Sequence, residues 1–136
     1  MAEVTDRLLT LLKEVFGWKE FRPVQKQVVE SVYQGVDTLA ILPTGGGKSL
    51  CYQVPGLAKE GICLVISPLV ALMKDQVDYL KARGVKAVAL HAGMSAREID
   101  TVLDNCIRGG VKFLYLSPER LKSELFVERF KQMDLN

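Results

Sequence analysis

The chain has 136 residues, with 18 Lys and Arg against 16 Asp and Glu, a formal charge of +2. That length supports one domain with its own apolar core, and 49% apolar with 25% charged residues is a soluble globular balance that sets aside fibrous and disordered classes. A charge of +2 does not by itself indicate a nucleic-acid partner, so any basic surface has to come from clustering.

The opening MAEVTDRLLTLLKEVF mixes acids into an amphipathic pattern and is not a secretory signal. Val4, Leu8, Leu11, Leu12 and Val15 recur at helical spacing. After the aromatic break FGWKEF, a second helix begins at Pro23, since proline suits the first helical turn. Val24, Val28, Val29 and Val32 mark its buried face, and Gly35 is placed to end it.

The rhythm then changes. DTLAIL (37–42), ICLVIS (62–67), KAVALH (86–91) and VKFLYL (111–116) are short apolar runs, each followed by a helix-like segment. Such alternation predicts parallel strands buried on both faces, hence a three-layer α/β fold. Pro55-Gly56 is expected to stop or kink the helix after the glycine loop. Val70, Met73, Val77 and Leu80 form an amphipathic face closed by Gly84. Ser95 and Glu98 have capping-box spacing, with Met94 and Ile99 placed for a hydrophobic staple and Gly109 ending the run. Ser117-Pro118 reads as the start of one helix over 118–133.

The three cysteines, Cys51, Cys63 and Cys106, are irregularly spaced and form no Cys-x-x-Cys pair. They read as reduced residues packed like small apolar side chains, in reducing surroundings, rather than as a disulfide framework or zinc site. No apolar run approaches the roughly 20 residues of a membrane span. His91 has no His or Cys partner at ligand spacing and reads as a turn residue.

The segment Leu42 to Gln53, LPTGGGKSLCYQ, carries the chemistry. A predicted strand runs into Gly45-Gly46-Gly47-Lys48-Ser49 and a helix follows, the context a phosphate loop requires. Glycines allow the backbone to aim N–H groups inward, and the helix presents its positive end to phosphate. Lys48 would reach the terminal phosphates and Ser49 would ligate Mg²⁺. The first glycine of the general G-x-x-x-x-G-K-[ST] pattern is replaced by Leu42.

Four segments in order resemble the RecQ family of ATP-dependent DNA helicases, within superfamily 2. FGWKEFRPVQ (16–25) is similar to motif 0, LPTGGGKSLCYQ to motif I, VISPLVALMKDQV (65–77) to motif Ia, and FLYLSPERL (113–121) to the later segment with its S-P-E-R core. The resemblance covers nearly the whole chain from about Phe16. It implies a RecA-like P-loop sheet flanked by helices, with 1–36 as N-terminal helices carrying motif 0 and 37–136 as a partial ATP-binding domain. It implies ATP and Mg²⁺ as cofactors, with Trp18, Arg22 and Gln25 at the adenine and Thr44, Gly45, Gly46, Gly47, Lys48 and Ser49 at the phosphates. The side chains suit these roles: Gln25 offers a donor and an acceptor, Arg22 a donor fork, Trp18 a stacking face.

The same resemblance implies DNA as partner, touched by Ser67, Lys74, Ser117 and Arg120, for which helix capping and a solvated Glu119–Arg120 pair are the structural alternatives. It implies unwinding in the 3′-to-5′ sense, roles in DNA repair and recombination, and a cytoplasmic (nucleoid) or nuclear location. The Asp-Glu-x-His box of motif II does not occur in these residues. The chain is therefore expected to be a piece truncated before the motif II strand and inactive alone. An RNA helicase of the same superfamily and a non-catalytic nucleotide- or strand-binding module are the alternatives.

Overall fold

A computed structural model describes residues 2–43 and 47–136, apart from the side chain of Ala2. Its packing divides the chain after Glu60, so the helix that follows the glycine loop groups with the two N-terminal helices.

The first unit contains α1 (Ala2–Phe16), α2 (Pro23–Tyr33) and α3 (Leu50–Ala58). Leu8, Leu12 and Phe16, one helical turn apart, are the buried stripe of α1. Gly17, at φ 77°, ends α1: the Trp18 N–H reaches back to the Leu12 carbonyl at 3.3 Å. Helices α1 and α2 both pack on α3. Arg7 Nη2 donates to the Ala58 carbonyl at 2.7 Å, satisfying an orphan acceptor at the C-terminus of α3. Pro55 does not stop α3, which runs on to Ala58. The lost N–H bond is a local cost, outweighed because Val54, Pro55, Gly56 and Ala58 are all buried.

The expected strand 37–42 joins no ladder among the described residues. A strand needs a neighbour's N–H and C=O groups, and a favourable apolar pattern does not supply one. The segment is extended to solvent, with Leu39 88% and Ile41 87% exposed. Its start is held locally: the Thr38 hydroxyl donates to the Val36 carbonyl at 2.7 Å and accepts from Ser31 at 2.7 Å.

The second unit bears out the other three strands. β1 (Cys63–Ile66), β2 (Ala87–Leu90) and β3 (Phe113–Leu116) form a parallel sheet in the order β1-β3-β2. The central β3 is buried along its whole length, as expected of a strand covered on both faces. Its even-numbered residues Leu114 and Leu116, with Leu90, join Ile99, Leu103 and Cys106 of α5 (Ala96–Ile107) and Phe126 of α6 (Glu124–Phe130). The odd-numbered Ala87, Phe113 and Tyr115 turn to the other face, where α4 (Val70–Ala82) packs through Met73, Val77 and Leu80. The result is helix, sheet and helices in three layers.

The capping box forms as the spacing predicts: the Glu98 N–H donates to Ser95 Oγ at 3.2 Å, and the Ser95 N–H to Glu98 Oε1 at 3.1 Å. Met94 packs against the core that contains Ile99. The single helix expected over 118–133 is instead a 3₁₀ turn, Pro118–Lys122, followed by α6. Ser117 makes no side-chain cap bond. Ser123 caps instead, its Oγ accepting from the Phe126 N–H, so the chain restarts as a new helix that buries Phe126.

Candidate nucleotide and strand sites

The first candidate site is built on α2 and the residues preceding α3. Motif 0 places Gln25 in the first turn of α2, where it is 3% exposed. A buried amide must be hydrogen-bonded, and both its ends are. Oε1 accepts from the Arg22 N–H at 2.9 Å, closing the helix start. Nε2 donates to the Gly47 carbonyl at 3.1 Å, which also receives the Cys51 thiol at 3.8 Å. Gln25 of motif 0 and Gly47, the last glycine of the run before Lys48, are therefore in direct contact.

Trp18 is 56% exposed, leaving its ring face accessible rather than half-buried. Arg22 is exposed as well. Lys48 lies in a turn just before α3 with its side chain toward solvent, and Ser49 is the N-cap of α3. Both stand at the positive end of a nine-residue helix. Thr44, Gly45 and Gly46 lie outside the described residues. Gly47 takes φ 75°, and a Cβ there would fall on Gln25 Nε2. The position thus demands glycine on two grounds, backbone angle and space. A cavity of about 230 Å³ is lined by Lys48, Thr38 and Tyr52 together with the apolar Val28, Val32, Leu42 and Cys51.

The second candidate site is at the C-terminal ends of the parallel strands, where α/β folds present ligand-binding loops. The Ser67 N–H donates to the Leu116 carbonyl at 3.0 Å, drawing Ser67 to the end of β3 beside Ser117. Ser67 Oγ is engaged in its own turn, accepting from the Leu69 N–H at 3.2 Å. Ser117 and Arg120 share an open depression with Lys122 and Ser123, which sequence reasoning did not single out, and with the acidic Glu119. Lys122 was legible only as a second base two residues after Arg120. Arg120 Nη2 also donates to the His91 carbonyl at 2.9 Å, tying the 3₁₀ turn to the end of β2. Lys74, exposed on α4, is not part of that depression. His91 is a turn residue, its Nδ1 accepting from the Gly93 N–H at 3.2 Å.

All three cysteines are free thiols. Burial pushes the Cys51 thiol up, and Cys106 up to about 11. Among the described residues no cluster of His, Cys, Asp and Glu could hold a metal ion. None of the described helices is long and apolar enough to cross a membrane.

Residues 22–135 match the protein family described as DEAD/DEAH box helicase. The chain belongs to that family. The RecQ-type likeness carried by the motifs is also found. The chain is 47% identical over 131 residues to the probable ATP-dependent DNA helicase RecS of Bacillus subtilis, covering 96% of this chain and 26% of that protein. It is 44% identical over 120 residues to the ATP-dependent DNA helicase RecQ of Haemophilus influenzae, covering 88% and 19%. The chain thus spans about a quarter or less of the length of these helicases. The fold is that of a hypothetical ATP-dependent RNA helicase from Sulfolobus tokodaii, with a TM-score of 0.67 at 21% identity, over 90% of this chain and 36% of that one.

Proposed function

We propose that this member of the DEAD/DEAH box helicases is the ATP-binding part of an ATP-dependent DNA helicase. The observation that carries the reading is the contact between Gln25 and Gly47, which joins motif 0 to the phosphate loop immediately before Lys48 and the N-terminus of α3. These residues fit a nucleoside triphosphate with Mg²⁺. Lys48 would hold the β- and γ-phosphates, Ser49 would ligate Mg²⁺, and Thr44 to Gly47 would line the phosphates. Trp18, Arg22 and Gln25 would take the adenine. The bound metal would neutralise charge on the phosphates.

DNA rather than RNA is the proposed substrate, because the similar RecS and RecQ proteins are described as DNA helicases, whereas the RNA helicase likeness speaks for the fold alone. Ser67, Ser117 and Arg120, grouped at the strand ends, and Lys74 on α4 would meet the backbone of one strand. Translocation in the 3′-to-5′ sense and work on DNA inside the cell belong to the same reading. These residues contain no Asp-Glu-x-His box. By themselves they would bind nucleotide weakly and not turn it over.

Calorimetry with Mg²⁺ and a non-hydrolysable ATP analogue tests this reading. Binding by the chain, lost in Lys48→Ala, is the expected result. Lys48 is exposed, so the variant keeps its fold. Equal binding by both proteins would remove the phosphate-loop assignment.

A further inference from the structure

We infer that His91 is a positioning residue for Arg120. It holds the guanidinium with its own main-chain carbonyl, in a turn that its imidazole keeps in shape. This rests on the reading of the strand-end depression as a contact for nucleic-acid phosphate.

Three bonds converge on His91. Its carbonyl accepts from Arg120 Nη2 at 2.9 Å and from the Met94 N–H at 3.3 Å, and its Nδ1 accepts from the Gly93 N–H at 3.2 Å. The ring closes the turn 91–94 from one side and the carbonyl closes it from the other. The direction of the oxygen that Arg120 uses is therefore set by the side chain of the same residue. Gly93 fits this turn on grounds of space alone. It does not take a left-handed angle, but a Cβ there would stand 3.2 Å from His91 Nδ1 and 3.3 Å from Cε1. An added methyl would push the ring away from the Gly93 N–H. Ala92, inside the turn, lines the same depression as Arg120 and Lys122.

The kind of acceptor matters. A carboxylate partner would cancel much of the arginine's charge, whereas a neutral carbonyl fixes the guanidinium and leaves the charge intact. Glu119 lines the same depression, yet among the described residues no carboxylate pairs with Arg120. One of five N–H donors is used, so four remain in a planar fork for phosphate oxygens. A long side chain that is already ordered loses less freedom when it binds.

Anisotropy of a fluorescein-labelled oligothymidylate at low salt reads the strand site. His91→Leu removes the ring acceptor and should weaken binding about three- to tenfold, the range of one neutral hydrogen bond. Gly93→Ala should act likewise. His91→Asn should bind within about twofold of the parent chain, since its amide oxygen replaces the lost acceptor. In an Arg120→Ala background, His91→Leu should cost nothing further, because the residue it acts through is gone. A general loss of structure would show neither the rescue nor the non-additivity.

Where Arg120→Ala weakens binding, a His91→Leu variant shown folded by circular dichroism that binds like the parent chain would overturn the inference. So would a His91→Asn as weak as His91→Leu, or a further loss in the Arg120→Ala background. NMR relaxation of the Arg120 Nε–H in the DNA-free chain keeps the two readings apart. Its order should fall in His91→Leu and return in His91→Asn, and unchanged order would also overturn the inference. If that pattern is found but the parent chain does not bind the oligonucleotide, or Arg120→Ala binds it equally well, the positioning of Arg120 stands and the strand-site reading falls.

Discussion

Ile62 and Leu135 pair as an isolated parallel bridge on the side of β1 that β3 leaves open. The Ile62 N–H donates to the Asp134 carbonyl at 2.7 Å and the Asn136 N–H to the Ile62 carbonyl at 3.0 Å. Residue 61 has to be glycine for this: at φ 87°, a Cβ would stand 2.8 Å from the Leu135 carbonyl carbon and 2.9 Å from the Asn136 nitrogen. Those are backbone atoms that cannot step aside. Gly61→Ala should therefore cost about 1–3 kcal/mol, read from urea unfolding. An unchanged midpoint would show that the bridge contributes nothing to the second unit.

The capping box predicts a pH response. Bonds from the Ser95 backbone, then from its side chain, hold the Glu98 carboxyl below the usual carboxylate range, with a smaller pull from His91. A depressed folded-state pKa means that the ionised form stabilises the fold. That stabilisation is fully present above the unfolded-state value of about 4.3 and is lost as pH falls through the lower folded value. Gln at this position keeps the cap but cannot ionise. The difference in thermal midpoint between the parent chain and Glu98→Gln should be constant near neutrality and vanish in acid. Ser95→Ala should lose about 1 kcal/mol at neutral pH.

Leu39 and Ile41 are the most exposed large apolar side chains described. Little of either is buried, so Leu39→Lys with Ile41→Lys should leave the unfolding free energy within about 0.5 kcal/mol. An unpaired, apolar extended segment is a template for pairing with another chain. Sedimentation velocity should show concentration-dependent association of the parent chain that the double variant reduces. A parent chain that stays monomeric at high concentration would count against this.

The thiols should react in the order of their exposure. Cys63 is half-buried, while Cys51 and Cys106 are buried and their thiols raised by burial, Cys106 to about 11. Only the thiolate attacks, so a disulfide reagent near neutral pH should modify Cys63 first and Cys106 only as the second unit opens. Modification of Cys106 ahead of Cys63 would contradict the packing described.

The periodic features were legible because they are local. The stripe of α1, that of α4 from Met73 to Leu80 though not the exposed Val70, the Ser95–Glu98 box, the left-handed stops at Gly35, Gly84 and Gly109 and the three strands all follow from spacing within one segment. The phosphate-loop proposal has the same kind of source, residue types in a row.

What the tertiary structure decided depends on partners distant in sequence. The apolar run 37–42 looks like its three counterparts, and only the ladder shows that those three pair while it joins none among the described residues. The 118–133 segment has continuous helical signals, but Ser123 starts a second helix so that Phe126 can reach the core shared with α5. Gln25 and Arg120 were readable as polar side chains fit for ligands. That one also holds Gly47 and the other the His91 carbonyl is set by burial and by the neighbours folding brings to them. A hydrogen bond between residues 22 or 29 positions apart leaves no periodic trace in the sequence.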